Sequence, residues 1–404
     1  MVSYCSQTSD YEKKHRVLLC KVSDWIYGGV ETYIYSVAKY IDSTDIQVDC
    51  YTPCCMKDES YLNKMLDLGV NMYAGNQDSS KVLDYVKVYN DMKKLIDMNN
   101  YTAIHVNTGS PLFQSVCLSV AKRKVPIRIC HSHNATAPDT IPLIKKILYV
   151  GCRFVIRNSA THFFACSELA GNFLFGKRTM SRKGRIIKNG IDYEKFRFNE
   201  KHRMTIRTQL QLHEDIPLLG LVANFTEQKN HVFLIKVFSE LLKHVPNAEL
   251  VLLGGNSNDK TAYEKLKIFA DSLGISENIH FMGAVKNANE YYSAMDIFVM
   301  PSLWEGLPYA GIEAQASCLP CLFSDSISNE LTVSQWANFF PLKNGEKAWA
   351  ERIRELLSTN NCHKRSHFSE KTRDEIREHG YDLKESVACI ENLYMSLEVA
   401  QWRT

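Results

Sequence analysis

Short apolar runs alternate with stretches of helical periodicity along the chain. The runs have the length of buried strands, and the periodic stretches space their apolar residues as amphipathic helices do. Strands that alternate with helices predict parallel α/β sheets. The predicted strands are 16–22, 46–51, 103–106, 126–130, 161–167, 185–188, 218–223, 249–254, 278–283, 297–300 and 321–323, and the clearest helices are 81–98, 262–273, 345–358, 371–379 and 382–397.

The stretch 296–325 reads as a strand, a loop, a helix and a second strand, which is the repeating unit of a parallel sheet. Glu305 lies in the loop, the helix is predicted to begin at Pro308, and Glu313 falls in its second turn. A helix start suits a phosphate, and carboxylates accept hydrogen bonds from vicinal hydroxyls. The pair therefore suits a sugar nucleotide, although two acids alone are explained more simply as a solvated turn residue and a dipole-compensating residue.

Further candidate residues follow other predicted strands. Gly28-Gly29 lacks the G-x-G-x-x-G spacing of a dinucleotide site, which disfavours a nicotinamide dehydrogenase, and a tight turn explains the two glycines equally well. His131 and His133 end the fourth strand without the partners that a metal site needs, so ordinary loop histidines remain the alternative. Lys229 precedes a helix, where a lysine can meet a phosphate. No metal and no cofactor is predicted.

The length of 404 residues predicts two domains, because a single core stops growing below this size. Polar residues at 199–215 fit a linker and a helix, so the boundary is expected near residue 195. An apolar fraction of 45% and a charged fraction of 23% are typical of a soluble globular protein.

The cysteine pattern predicts a reducing compartment. Thirteen cysteines at irregular spacing form no disulfide framework, and the Cys318–Cys321 pair fits core packing better than a zinc site. Residues 1–16 are polar, and the apolar run 17–20 is too short for a signal peptide or a membrane span. A cytoplasmic location is therefore expected.

Positive charge is concentrated in one region. Residues 117–190 carry fourteen Lys and Arg against two acids, a net of +12, which leaves −9 for the rest of a chain whose total is +3. No aromatic-basic pattern or zinc finger accompanies this region, so nucleic acid is not a predicted partner. Within it, the stretch 141–157 is basic and amphipathic. Binding to an anionic membrane surface and packing of its apolar side on the core both remain open.

The segment PSLWEGLPYAGIEAQASCLPCLFSD resembles the donor-site signature of the retaining glycosyltransferases of family four, and RICHSHN, IIKNGIDYEKF and NFTEQKN resemble other parts of the same family. The resemblance implies the GT-B fold, with two Rossmann-like parallel-sheet α/β domains facing a central cleft. The expected domains are an acceptor-binding domain at 1–195, a donor-binding domain at 196–380 and a helical segment at 381–404 that crosses back to the first domain.

The resemblance also implies roles for the matching residues. Glu305 would lie beside the donor hexose, Glu313 would hold the ribose hydroxyls, and Lys229 would contact the diphosphate. His133 would contact the donor sugar near the reacting centre, and Asn224 stands where the family usually has an arginine, so one cation at the leaving group is missing. The other implied donor-binding residues are Gly28, Gly29, Gly283, Val285, Gly306, Leu307, Pro308, Tyr309 and Ala310.

These roles predict a retaining, metal-independent glycosyltransferase that uses a nucleoside-diphosphate sugar, with a UDP-sugar favoured. The basic first domain predicts a lipid-linked sugar acceptor, such as a polyprenyl-diphosphate sugar at the inner face of the plasma membrane, and the resemblance points to capsular or exopolysaccharide synthesis. Acceptor or membrane contacts are predicted for Lys145, Lys146, Arg153 and Arg157. The alternatives are a sugar-nucleotide epimerase of the same fold and a non-catalytic sugar-nucleotide binding protein.

Overall fold

The computed structural model describes residues 1–5, 15–22, 29–79, 81–133, 143–254, 260–305, 307–359 and 362–396. The chain divides into two compact units, one of Met1–Gly190 with Leu383–Thr404 and one of Ile191–Asp382. The chain therefore leaves the first unit after Gly190, close to the boundary expected near residue 195, and returns to it after Asp382.

The first unit is built on an eight-stranded sheet. Its strands are β1 (Val2–Tyr4), β2 (His15–Cys20), β3 (Ile46–Cys54), β4 (Asn71–Gln77), β5 (Ala103–Asn107), β6 (Ile127–Ser132), β7 (His162–Ala165) and β8 (Gly184–Ile186). They lie in the order β1-β4-β3-β2-β5-β6-β7-β8, and all neighbours run parallel except β1 and β4. From β2 the chain adds β3 and β4 on one side, and it then crosses back to add β5 to β8 on the other side. The strand order therefore reverses between β2 and β5.

Helices connect these strands and cover both faces of the sheet, where two apolar clusters are buried. Local sequence sets several of their ends. The Ser110 hydroxyl, for example, accepts from the N–H of Phe113 while Pro111 occupies the first helical turn, a preferred arrangement at a helix start. The helices are α1 (Gly29–Tyr40), α2 (Glu59–Asp67), α3 (Tyr85–Met98), α4 (Pro111–Ala121), α5 (Leu143–Ser159), α6 (Glu168–Phe175) and α7 (Lys177–Lys183).

The second unit contains a six-stranded sheet in which all neighbouring strands are parallel. Its strands are β9 (Leu218–Val222), β10 (Glu249–Leu253), β11 (Ile279–Gly283), β12 (Ile297–Met300), β13 (Cys321–Ser324) and β14 (Ala337–Phe340). Their order is β11-β10-β9-β12-β13-β14. Most residues of β9, β10, β12 and β13 are buried, as expected for strands covered on both faces.

The helices of the second unit pack on this sheet around one large apolar cluster. They are α8 (Tyr193–Phe196), α9 (Glu200–Gln209), α10 (His231–Leu242), α11 (Lys260–Ser272), α12 (Ala288–Ala294), α13 (Tyr309–Ala316), α14 (Gly345–Thr359) and α15 (Ser369–Glu378). Cys318 and Cys321 are both fully buried, and Cys321 belongs to this cluster. Their burial agrees with the interpretation of the pair as core residues.

The last helix, α16 (Leu383–Met395), belongs to the first unit. Its Leu383, Val387, Ile390 and Tyr394 are buried in the apolar cluster that also contains residues of β2 and α1. The predicted return of the C-terminal helix to the first domain is confirmed.

The prediction missed strands β1, β4 and β14 and several helices, among them α2, α4 and α12, and it misplaced some ends. Strand β4 contains two asparagines and Gly75, which disfavour a strand locally, so its pairing with β3 decides its conformation. Gly75 is required there because a Cβ at that position would lie 2.0 Å from the Pro53 carbonyl oxygen. Pro308 caps α13 rather than opening it, and the predicted helix 81–98 begins at Tyr85.

Candidate functional site

Two loops of the second unit meet where its sheet changes direction. From β9 the chain builds β10 and β11 on one side, and it then returns to build β12 and β13 on the other. The β9 loop (residues 223–230) and the β12 loop (residues 301–305 and 307–308) therefore leave adjacent parallel strands at one edge. Open parallel sheets bind ligands at such a position.

Hydrogen bonds connect the two loops. The Leu303 N–H donates to the Gln228 carbonyl oxygen at 2.8 Å, and the Gln228 side-chain amide donates to the Trp304 carbonyl oxygen at 2.8 Å. Asn230 adopts a left-handed backbone conformation, with φ of 56°, and its amide donates to the Pro301 carbonyl oxygen at 3.1 Å. The loops thus form one connected surface rather than two independent segments.

Lys229 and Glu305 form an ion pair across this surface, between Nζ and Oε1. Their side chains are 19% and 8% exposed, so the pair is screened by water only in part. Gln228 Nε2 donates to the second oxygen of Glu305 at 3.2 Å, which fixes the carboxylate from both sides. The structure therefore brings together two of the predicted site residues and adds Gln228, which the sequence analysis missed.

Glu313 points from α13 toward α12, where Tyr292 donates its O–H to Oε2 at 2.8 Å. The carboxylate keeps part of its surface open but is surrounded by protein, and burial raises its pKa above the usual range. The Tyr292 hydrogen bond and the charge of Lys195 oppose this rise. Sequence reasoning missed both partners because neither is near Glu313 in the chain.

The residues that lead into α13 lie beside these acids. Pro308 is buried, whereas Leu307, Tyr309 and Ala310 remain partly exposed, so the start of the helix is accessible on one side. The predicted donor-binding residue Gly306 lies outside the described residues.

The remaining predicted donor-binding residues of the second unit lie at the ends of β9 and β11. Asn224 is exposed in the β9 loop. Gly283 has a left-handed φ of 65°, its carbonyl accepts from the Gly254 N–H at 2.8 Å, and Val285 follows it, half-buried against the core. Glycine suits position 283 because the left-handed backbone conformation strains residues that have a side chain.

His133 lies at the corresponding edge of the first unit. Its Nε2 is 3.0 Å from Oδ1 of Asn107, whose amide group donates to the His105 carbonyl oxygen at 3.0 Å. Asn107 therefore presents an acceptor, and His133 carries its proton on Nε2. Burial lowers the pKa of His133 to about 3, against a smaller opposing effect of Asn189, so the imidazole is neutral at pH 7.

His133 belongs to a buried cluster that the sequence analysis did not predict. His105 Nε2 lies 3.0 Å from His131 Nδ1, and His105 Nδ1 lies 2.6 Å from the hydroxyl of Tyr394 in α16. The Tyr33 ring lies 5.1 Å from the His131 ring, centroid to centroid. Burial also lowers the pKa of His105 and of His131 well below the usual range.

Gly29 is the first residue of α1, and Gly28 lies outside the described residues.

From residue 143 onward the basic stretch predicted at 141–157 lies in α5, and part of its apolar surface is exposed; residues 141 and 142 lie outside the described residues. Cys152 and Ile156 are buried, whereas Ile144, Ile147 and Phe154 are 81%, 66% and 63% exposed. The structure therefore contradicts the interpretation in which the whole apolar side packs on the core. None of the described helices is long and apolar enough to cross a membrane.

The four predicted basic residues of α5 differ in their surroundings. Lys145, Lys146 and Arg157 are exposed. Arg153 is half-buried, its guanidinium donates to the Phe173 carbonyl oxygen at 2.5 Å, and burial lowers its pKa. Arg153 thus contributes to packing as well as to surface charge.

Metal-binding arrangements are absent from the described ranges, where no group of three or more His, Cys, Asp and Glu side chains could hold an ion. In the histidine cluster, four of the six ring nitrogens already face Tyr394, Asn107 or one another.

Both units match models of glycosyltransferase families. Residues 27–195 match the model described as Glycosyltransferase Family 4, and residues 202–375 match Glycosyl transferases group 1. EpsF of Bacillus subtilis (strain 168) is 30% identical over 377 residues, which are 91% of this chain and 93% of EpsF. The likeness to EpsF shows that this chain belongs to the same glycosyltransferase family as EpsF. The chain is a transferase with the GT-B fold. Family membership argues against the epimerase alternative.

Two further relatives carry more specific names. CapH of Staphylococcus aureus, a capsular polysaccharide biosynthesis glycosyltransferase, is 27% identical over 273 residues, 66% of this chain and 71% of CapH. An Escherichia coli enzyme, UDP-Gal:alpha-D-GlcNAc-diphosphoundecaprenol alpha-1,3-galactosyltransferase, is 27% identical over 151 residues, 37% of this chain and 38% of that enzyme.

Among solved structures, Anabaena Alr3699/HepE in complex with UDP and glucose has a TM-score of 0.73 at 16% identity. The match covers 94% of this chain and 99% of the Anabaena protein. At this identity the likeness shows the fold.

Proposed function

We propose that this enzyme transfers a sugar from a nucleoside-diphosphate sugar, with a UDP-sugar favoured, to a hydroxyl of a lipid-linked sugar, with retention of anomeric configuration. The observation that carries the proposal is the Lys229–Glu305 pair at the point where the sheet of the second unit changes direction. Glu313 lies a short distance along the same segment. One cation, two acids and a helix start match the phosphates and hydroxyls of a sugar nucleotide.

In the proposed reaction the bond between the sugar and the diphosphate breaks through an oxocarbenium-like transition state, and negative charge develops on the leaving oxygens. The Lys229 ammonium has three N–H donors, so it can hold Glu305 and a phosphate oxygen together. Backbone N–H groups at the start of α13 would add to this stabilisation. Asn224 supplies no charge, which gives Lys229 a larger share of the work at the leaving group.

Front-face attack fits these residues, because a donor phosphate oxygen can take the proton of the acceptor hydroxyl. The new glycosidic bond then forms on the face from which the diphosphate leaves, and the diphosphate carries away the proton. The neutral His133 would contact the donor sugar through a hydrogen bond rather than through charge. No metal ion is needed in this scheme, since Lys229 and the helix start supply the positive electrostatic field.

A panel of sugar nucleotides tests the donor assignment. A ligand that binds only the folded protein raises its melting temperature, and a hundredfold excess over Kd should raise it by roughly 5 °C. UDP-sugars are expected to give the largest shift. Incubation with donor alone should give slow hydrolysis and no epimer, and the product with acceptor should keep the donor's anomeric configuration by NMR. An epimerised donor or an inverted product would contradict the proposal.

The acceptor assignment rests on α5 and on the relatives. The Escherichia coli relative is named for a diphosphoundecaprenol-linked substrate, and CapH is named for capsular polysaccharide synthesis. In this chain, exposed Ile147 and Phe154 lie on the same helix as exposed Lys145 and Lys146. Such a surface suits an anionic membrane, where apolar side chains enter the interface and lysines meet lipid headgroups. A peripheral position on the inner membrane face would bring the enzyme to a lipid-linked sugar.

The membrane contact predicts a loss of binding when the α5 charges are removed. Each lysine near an anionic surface contributes about 1 kcal/mol, so Lys145→Gln with Lys146→Gln should weaken binding to phosphatidylglycerol vesicles roughly 10- to 30-fold in a flotation assay. The matched control is Lys93→Gln with Lys94→Gln, two exposed lysines of α3. Equal binding by the two double variants would contradict the role of α5.

A further inference from the structure

Tyr292 contacts Glu313, the acid to which the proposed function assigns nucleotide binding. Its side chain is fully buried, between the rings of Phe196 and Phe298 at centroid distances of 6.1 Å and 5.9 Å. Its hydroxyl donates to Glu313 Oε2 at 2.8 Å. Burial and the neighbouring carboxylate raise the pKa of Tyr292 well above its usual range, so the phenol stays protonated and remains a donor.

The helix that carries Tyr292 is tied to the helix that carries Glu313. The Arg365 guanidinium, which is 1% exposed, donates to the carbonyl oxygens of Tyr292 and Met295 at 2.8 Å each and to that of Ser317 at 3.0 Å. Ser317 is the C-cap of α13. One buried cation therefore sets the end of α12 against the end of α13, and the distance from Tyr292 to Glu313 is fixed by the fold.

The second oxygen of Glu313 is in a different situation. Within the described ranges, Oε1 accepts no hydrogen bond from the protein, and it is not fully buried. A carboxylate whose one oxygen is held by a rigid phenol has its plane fixed, and its other oxygen then points in one direction. Such an oxygen can accept from hydroxyl groups of a ligand without first losing rotational freedom.

We propose that Tyr292 is a positioning residue that orients Glu313 so that Oε1 accepts hydrogen bonds from the ribose hydroxyls of the nucleotide. The inference rests on the proposed function, because it takes the bound ligand to be a nucleoside diphosphate. It assigns to Tyr292 a part of the selectivity for a nucleotide with intact 2′ and 3′ hydroxyls. A tyrosine that only filled space would affect every ligand of the site alike.

The chain offers a matched pair of variants. Tyr292→Phe removes one oxygen atom and leaves the packed ring, and Tyr291→Phe makes the same change at the adjacent, buried residue of α12. Binding is measured by calorimetry for UDP and for 2′,3′-dideoxy-UDP, which keeps the base and both phosphates. Melting temperatures of the unliganded proteins report any change in folding.

Wild-type protein should bind UDP at least tenfold more tightly than the dideoxy analogue. Tyr292→Phe should weaken UDP binding by roughly 5- to 30-fold and binding of the analogue by less than twofold, as expected for loss of one hydrogen bond to a charged group. Tyr291→Phe should change neither. Equal losses for both ligands, or no loss for UDP, would overturn the role of Tyr292 alone. If wild-type protein binds neither UDP nor GDP nor ADP, the proposed donor site itself is overturned.

Discussion

Replacement of Lys229 by alanine should lower kcat by about 10²- to 10³-fold, the cost of removing one preorganised group that stabilises transition-state charge. The reason is local: Lys229 is the cation placed against Glu305 at the edge of the sheet, and Asn224 in the same loop as Lys229 carries no charge. Turnover is measured with the UDP-sugar that gives the largest thermal shift, at saturating acceptor.

Lys236→Ala is the control for this experiment. Lys236 lies on α10, close to Lys229 in sequence, with its side chain 49% exposed and paired with Glu346 at 3.7 Å. Its loss should leave kcat within twofold. Because Lys229→Ala leaves the Glu305 carboxylate, 8% exposed, without its cation, the melting temperature should fall as well. A Lys229→Ala enzyme that is folded and turns over within threefold of wild type would contradict the assignment.

The first unit should lose stability in mild acid. Burial lowers the pKa of His105, His131 and His133 in the folded protein, so below the ordinary value of about 6.5 the unfolded chain binds more protons than the native one. Stability is therefore full above pH 6.5 and falls as the pH drops, for His133 down to about 3. Each histidine should cost roughly 2 kcal/mol between pH 7 and pH 5.

Hydrogen exchange at the amides of β5 and β6 measures this loss, because these strands carry the cluster. His131→Gln should remove roughly 2 kcal/mol of the decrease between pH 7 and pH 5, since it deletes one of the three titrating groups. His379→Gln, which changes an exposed histidine of the second unit, serves as the control and should leave the decrease unchanged. An identical pH dependence in both variants would show that the cluster is not its source.

The sequence predicted the sheets well because their central strands are continuous apolar runs, such as β12, whose bounds match the prediction. Strand β4 was not predicted because its own residues, among them Gly75, disfavour a strand. Its pairing with β3 explains why this segment is extended. The sequence left open whether the apolar side of α5 is exposed, since periodicity shows that a helix has an apolar side but does not show what covers that side.

The residues of the candidate site also fall into two groups, those that the sequence predicts and those that only the packing explains. Glu305, Glu313 and Lys229 could be proposed from the sequence because they fall on short motifs beside a helix start. Their partners were not found, because Tyr292 and Gln228 act through contacts that depend on the packing of separate segments. The histidine cluster shows the limit most clearly: His105 and Tyr394 are 289 positions apart and meet only because α16 returns to the first unit.

A crystal structure with UDP bound tests the central claim most directly. The claim is that the β9 loop, the β12 loop and the start of α13 form the site of a nucleoside diphosphate. The account predicts phosphate oxygens within hydrogen-bond distance of Lys229 Nζ and of the backbone at the start of α13, with ribose hydroxyls against Glu313. A diphosphate bound elsewhere, with the Lys229–Glu305 pair and Glu313 out of contact with the nucleotide, would contradict it.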